Sequence, residues 1–470
     1  MMKRLNKSRL EYVIYHLYQF ADFNQNLISS FRFTEDPKPV SKYIFFPLSD
    51  QDLNVNQIKW INGIPILFSC SRSEIIFRIE NDNVIFEHDL LKSTFYLLTG
   101  YQEYHSGIQD QYGRFPYKES LQYKLDIANK PVINYYFEWI LQGIEQFCKI
   151  NHIPFKRNSV FPHAAFMLSH DVDRVNAYHF FEVIYKFKQL LGFAKSPYTP
   201  STTLKITLNY LYHFLNPFSK TNPFWNFDFL RAIEKENNLS SVFFFLEKDG
   251  LHKNSRYKFR KKKIRILIRD LIEDGCEVGL HGTIQSATNL QAMRKTLRNL
   301  QKVTPRKITG VRQHYLTFTI PKTMIIQEQA GLEYDTSLGF AEHEGFRNSF
   351  CHPFKLYDFE NEKMIDVWEI PLIVMDGTLF YYKNMHYEGM INSVDLLIGE
   401  IKKFKGIFTL LWHNSHFDEL EFPGITDFYK KLLKHITDRK PESLSGSEII
   451  SRMNNSFKGQ PIPYPLPYSW

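Results

Sequence analysis

The chain predicts an α/β fold built on a mostly parallel sheet, with a smaller α+β unit in front of it. Three observations carry this. From about residue 160 short apolar runs alternate with amphipathic helical stretches. Several of those runs end in a polar residue suited to chemistry. The first 155 residues follow a different pattern, in which short strand-like runs precede helices. Strand–helix alternation is the signature of a parallel sheet covered by helices, either open or closed into a barrel.

Residues 1–155 contain strand-like runs at 42–48, 65–70, 74–79 and 83–87, separated by Asn-, Asp- and Gly-containing breaks. Apolar periodicity then predicts helices over 90–99 and 130–149. The polar, aromatic loop Tyr112-Gly-Arg-Phe-Pro-Tyr-Lys118 suits either a groove lining or a plain turn. Residues 158–162 read as a linker. In the unit spanning 160–455, strands are expected at 166–168, 241–246, 276–280, 308–311, 365–375 and 407–412. Helices are expected at 227–235, 264–272, 289–302, 322–330, 393–403 and 426–436. An aromatic insertion at about 175–222 breaks the rhythm, placed to cover a site or to dock on something. Residues 456–470 form a Pro-rich tail, expected to be extended.

Composition narrows the class. With 43% apolar and 23% charged residues the chain is globular. Its 27 Tyr and 42 Phe suit a thick core or a sugar- or lipid-facing surface. Much of the net charge of +8 lies in Arg256-Tyr-Lys-Phe-Arg-Lys-Lys-Lys-Ile-Arg265, which reads as a solvated helix start or a contact for phosphate or anionic lipid. No zinc-finger, RNP or helix-turn-helix signature accompanies it, so nucleic-acid binding is not expected. Cys70, Cys148, Cys276 and Cys351 are far apart and read as reduced thiols. The basic start runs into a charged, Tyr-containing stretch with no apolar h-region or small-residue cleavage site. Nowhere do 18 apolar residues run together, so no transmembrane helix is expected, which leaves peripheral membrane contact open. The resulting expectation is a soluble, cytoplasmic protein.

The chemistry starts at Phe166-Met-Leu-Ser-His-Asp-Val-Asp-Arg174. Side chains alternate along a strand, so Asp171 and Asp173 share a side just where the apolar run ends. Two acids share a face cheaply only when a metal ion or an arginine sits between them. Other runs end in His281, in Arg312, Gln313, His314 and Tyr315, and in His413, with Asn414, His416 and Asp418 behind it. Converging strands would gather these groups at one end of a sheet or barrel.

The order Asp-x-Asp, Gly-Leu-His-Gly, Val-Arg-x-x-Tyr, Leu-Leu-x-His resembles the polysaccharide deacetylases, the NodB-homology carbohydrate esterases of the family-4 type. The resemblance is strongest to a bacterial subgroup with an uncharacterised N-terminal domain. It extends more loosely to Ser93-Thr-Phe-Tyr-Leu-Leu-Thr99, Gly113-Arg-Phe-Pro116 and Tyr334-Asp-Thr-Ser-Leu-Gly-Phe340. The resemblance implies a distorted (β/α) barrel that hydrolyses N-acetyl or O-acetyl groups on a sugar or glycan precursor with a divalent metal, Zn2+ being the family's usual ion. It makes Asp171 the general base, Asp173 and His281 metal ligands, and Arg312 the partner that orients the base. Tyr315 would offer its backbone N–H to the oxyanion, and His413 would be the general acid. The family places a further His four residues after His281, where this chain has Gln285. An amide oxygen suits zinc poorly, which leaves three outcomes open: weak metal binding, a third ligand from His170, His314 or His416, or no metal.

Glu342, His343 and Arg347, in a polar loop that also holds His352, are candidate sugar-binding residues. Asp335 and Asp376 are strand-end acids, either near the site or ordinary. Two further readings stay open: an inactive deacetylase fold that binds glycan or scaffolds an assembly, and an Asp-x-Asp glycosyltransferase.

Overall fold

The computed structural model describes residues 2–39, 42–216, 218, 221–250 and 254–457. Most of the Pro-rich tail, residues 458–470, lies outside the described residues.

Eight parallel strands form the main path of a ten-stranded sheet in the second unit: β1 (Ala165–Val172), β2 (Ser241–Leu246), β3 (Glu277–Gly282), β4 (Gly310–Gln313), β5 (Tyr334–Asp335), β6 (Lys363–Glu369), β7 (Val374–Met375) and β8 (Ile407–Leu411). Their order in the sheet is β6-β5-β4-β3-β2-β1-β8-β7, with every neighbouring pair parallel. The strand Phe354–Asp358 adds antiparallel to the outer edge of β6. One stretch of chain therefore stands at both ends of the sheet: β6 pairs with β5, and β7, just after it in the chain, pairs with β8. That stretch closes the sheet into a distorted barrel. The sequence reads 365–375 as a single strand; the break falls at Pro371, which has no N–H to give to a ladder. Across it the Ile373 N–H donates to Thr409 Oγ1 (2.7 Å), and the Thr409 hydroxyl donates to the Pro371 carbonyl (2.6 Å).

Strands β1, β2 and β8 are buried along their whole length, as apolar runs in a parallel sheet should be. Gly279 on β3 faces the Phe244 ring, and a Cβ there would collide with it. The ring in turn lies 4.7 Å under the Arg312 guanidinium.

In the front unit, Phe31–Phe33, Ile44–Phe46, Asn83–Phe86 and Phe77–Glu80 form a four-stranded sheet backed by helices Leu90–Leu98 and Val132–Ile150. Several helices escaped the sequence reading, two of them at the ends of the described chain. Lys7–Leu17 buries Leu10, Val13, Ile14 and Leu17, a helical spacing hidden among Tyr and His. Gly446–Phe457 packs Ile449, Ile450 and Met453 against Tyr334 and Trp368.

The two units share one apolar core, since Phe95, Ile133 and Phe137 belong to the same cluster as Ile320, Phe350, Phe354 and Val367. A buried ion pair pins them together. Arg347 donates from Nε and Nη2 to the two Glu103 oxygens (2.9 and 2.6 Å) and from Nη1 to the Gly339 carbonyl (3.0 Å). Removing one partner of a buried pair leaves the other charge uncompensated, so Glu103→Ala is expected to cost about 3–5 kcal/mol. Chemical denaturation of the full chain checks this.

The insertion is an antiparallel pair of helices, α1 (Phe180–Leu190) and α2 (Pro200–Leu215). Thr199 caps α2 through its hydroxyl, with Pro200 at the first helical position.

Candidate active site

Alternation along β1 puts Ser169, Asp171 and Asp173 on one face, and alternation past β4 does the same for Arg312 and His314. Register then brings the strand ends level, with His281 opposite Arg312 and Leu411 opposite Ser169. The sequence-named groups meet at the carboxyl end of the barrel.

Arg312 is fully buried and holds the base candidate. Its Nη1 donates to Asp171 Oδ1 (3.1 Å) and Ser169 Oγ (2.9 Å). Its remaining donors go to the Thr336 carbonyl (2.9 Å) and Thr336 Oγ1 (3.2 Å), so the guanidinium is fixed on both sides. The other Asp171 oxygen, Oδ2, lies 3.5 Å from His281 Nε2.

Asp173, His281 and His314 form the first cluster of donors. Asp173 Oδ1 lies 3.2 Å from His281 Nε2 and 3.4 Å from His314 Nδ1, and these two nitrogens are 3.3 Å apart. His281 Nδ1 donates to the Arg312 carbonyl (2.7 Å), which directs the Nε2 lone pair toward Asp173. Burial disfavours charge on Asp173, yet His314 and His281 outweigh it and hold its carboxyl well below the usual range. Burial likewise pulls His281 down, but Asp171 and Asp173 win and raise it.

These residues fit a divalent metal. Asp173 Oδ1 is buried and accepts no hydrogen bond, an orphan that a cation would satisfy. One carboxylate and two imidazoles, with donor atoms within 4.8 Å of one another, make a three-protein-ligand set with room for water. His314 would supply the imidazole that position 285 lacks. Gln285 has its amide oxygen on Asn254 Nδ2 (3.0 Å). His170 and His416 are engaged at both ring nitrogens: His170 by the Trp412 carbonyl and Glu234, His416 by Asp376 and Tyr381.

His413 stands on the other side of Asp173, with Nε2 3.9 Å from Asp173 Oδ2. Its Nδ1 donates to Asp376 Oδ1 (2.7 Å), and its backbone N–H donates to Asp376 Oδ2 (2.6 Å). Burial alone would lower the His413 pKa; Asp376 overrides it and lifts the imidazole to about 10. The carboxyl of Asp376, despite complete burial, is driven far below the carboxylate range by His413 and His416. Asp376 thus holds His413 in place, a contact the sequence left open.

Tyr315 begins a tight turn in the left-handed region (φ 59°), which sets its backbone at the rim of the site. The front unit braces that turn, a contact the sequence did not reveal beyond the aromatic character of the loop at 112–118. Tyr112 stacks on the Tyr315 ring (centroids 4.7 Å apart) and Arg114 donates to the Tyr315 carbonyl (3.3 Å).

The sugar-binding candidates lie elsewhere. Arg347 is buried on Glu103, which corrects its reading as an open sugar contact: its donors are occupied by the carboxylate and the Gly339 carbonyl. His343 stacks on Tyr117 (4.5 Å) and lines a cavity of about 380 Å3 with Glu344 and Lys383. Glu342 is half-buried on the same loop. His352 is buried beside Asn134 (2.9 Å), where burial lowers it to about 3. Asp335 accepts from Ser337 and Gln327 and lies against Glu369; burial raises both carboxyls.

Among solved structures the chain is similar to a putative polysaccharide deacetylase from Mycobacterium smegmatis, with 15% identity and a TM-score of 0.40 over 63% of this chain and 92% of that one. It is similar also to a probable polysaccharide deacetylase from Pseudomonas aeruginosa PAO1, at 12% identity and a TM-score of 0.40 over 62% of this chain and 90% of that one. A CE4 family pseudoenzyme from Bacillus anthracis aligns at 11% identity and a TM-score of 0.30, over 62% of this chain and 66% of that one. No curated protein matches the chain. Residues 2–149 match the family model described as a family of unknown function, DUF7033.

Proposed function

We propose that this protein is a metal-dependent hydrolase that removes N-acetyl, or O-acetyl, groups from a carbohydrate. One observation carries the reading: a carboxylate base candidate and an imidazole paired with a buried carboxylate flank the Asp173–His281–His314 donor set at a single barrel mouth.

A divalent ion such as Zn2+, held by Asp173, His281 and His314, supplies Lewis acidity toward the acetyl carbonyl and acidifies water. The chain's own residues do the rest. Asp171, oriented by Arg312 and Ser169, takes the proton of the attacking water on Oδ2, the oxygen turned away from the guanidinium. The Tyr315 backbone N–H, in the turn braced by Arg114, faces the oxyanion. His413, kept protonated at neutral pH by Asp376, gives its Nε2 proton to the departing amine. An amide needs all three, because it is a poor electrophile with a poor leaving group. Cytoplasmic location belongs to the same proposal and rests on the four free thiols.

The test is acetate release from a panel of N-acetylated sugars by the Zn2+-loaded protein, with and without chelator. Release that stops on chelation supports the reading. A second reading, a glycan-binding fold without catalysis, is favoured by Gln285 at the family's ligand position; it predicts sugar binding with no acetate from any member of the panel.

A further inference from the structure

The insertion leaves large apolar residues exposed on its outward side. Ordinary amphipathic helices turn apolar residues inward. Here the inward side of α1 and α2 mixes Val183, Ile206 and Tyr210 with Lys186, Gln189, Thr203 and Thr207, while further large apolar residues stand on the outward side. Phe181 and Tyr185 stand exposed one helical turn apart on α1. Leu204, Leu208, Tyr212 and Leu215 form an exposed stripe along α2. Phe193, in the connection, is 81% exposed. Phe180 and Phe214 meet on the outside with ring centroids 6.2 Å apart, so the two helices offer one continuous face. A patch of this extent marks an interaction site.

Charge identifies the occupant. Exposed Lys188, Lys195 and Lys205 are interleaved with the apolar residues. The only acid between 175 and 222 is Glu182, and it is taken by Arg174 (3.1 Å) and Arg256 (3.0 Å). A second copy of the chain on a two-fold axis would set this patch against itself, lysine against lysine. Beside the hairpin lies a cavity of about 540 Å3 lined by Arg174, Arg256, Lys261, Lys263 and Trp225. Its basic wall begins the helix Lys262–Glu273, whose first turn holds no acid and so stacks cations on the positive end of the helix dipole. Anions relieve that arrangement. Aromatic and leucine side chains, lysines at the rim and a cationic recess are the features of a helix pair that lies in a lipid interface. Among the described residues no helix is long and apolar enough to cross a membrane.

We propose that the α1–α2 hairpin seats this protein on the surface of an anionic phospholipid bilayer, with headgroup phosphates meeting the cations of the adjoining cavity. The hairpin is tied to the loop after β8, through Lys186 to Glu421 (2.7 Å) and Tyr198 to Glu421 (3.1 Å). Docking therefore sets the barrel mouth at the membrane, where a sugar carried on a lipid would be presented.

Flotation of the full chain with phosphatidylglycerol/phosphatidylcholine vesicles and with pure phosphatidylcholine vesicles tests this. The expected result is about tenfold or stronger preference for the anionic vesicles, weakened by salt. The triple variant Leu208→Ser/Tyr212→Ser/Leu215→Ser, altered only at exposed positions, should lose that binding while keeping its circular dichroism and thermal midpoint. Absence of binding by the folded wild type would overturn the proposal. So would a wild-type dimer by sedimentation that the triple variant dissolves, which would make a second copy the occupant. Acetate release from a soluble substrate reads the catalytic proposal separately, and the triple variant should leave it unchanged.

Discussion

Asp171→Asn is expected to lower kcat by about 10²–10⁴-fold, the contribution of a positioned general base. The asparagine fills the same space and keeps an oxygen toward Arg312, whose Nη1 retains Ser169 and whose Nε and Nη2 retain Thr336. Loss of the buried carboxylate should still cost stability, at less than the ~3–5 kcal/mol of a pair broken outright. Steady-state rates measured beside the denaturant midpoint separate the two effects. A folded Asp171→Asn protein with its rate within about tenfold of wild type would remove this residue from the role of base.

Asp376→Asn should have the next largest effect, and its signature is a pH profile. His413 is raised from 6.5 to about 10, so it stays protonated across neutral pH and the acid is lost only on the alkaline side. Removing Asp376 takes away the largest upward influence, so the alkaline limb of kcat must move toward neutral. A cation at Asp173 offsets that carboxylate's pull, so the limb of the loaded wild type is expected below 10. Stability follows the same linkage: the raised pKa contributes fully below about 6.5, and the contribution is lost as pH rises through about 10. An alkaline limb indifferent to Asp376→Asn would show that another group donates the proton.

Much of this site was legible because strand periodicity carries it. Asp171 and Asp173, then Arg312 and His314, sit two apart at the ends of apolar runs, and alternation alone puts each pair on one face. The residues that sequence could not rank are those whose role depends on what lies across the barrel. His170, His314 and His416 were equal candidates for the third ligand. Only the fold shows that His170 is used by Trp412 and Glu234, and His416 by Asp376 and Tyr381. Arg347 failed as a sugar contact for the same reason, because its partner Glu103 is 244 residues away in sequence. In the fold, the long runs of β2 and β8 matched expectation closely. β5 and β7, two residues each, are too short to leave a pattern. Closure by one segment broken at Pro371 is a tertiary property that no local period encodes.

In the proposed metal site His314, not the residue four after His281, completes the ligand set with Asp173 and His281. The direct measurement is equilibrium dialysis of the full chain with Zn2+, comparing wild type, His314→Ala and Gln285→Ala. One equivalent bound by wild type and by Gln285→Ala, with affinity reduced ~100-fold or more in His314→Ala, is the predicted result, since loss of a direct ligand should exceed the 10–100-fold typical of its outer partners. Zn2+ retained by His314→Ala, or no binding by the folded wild type, would contradict it.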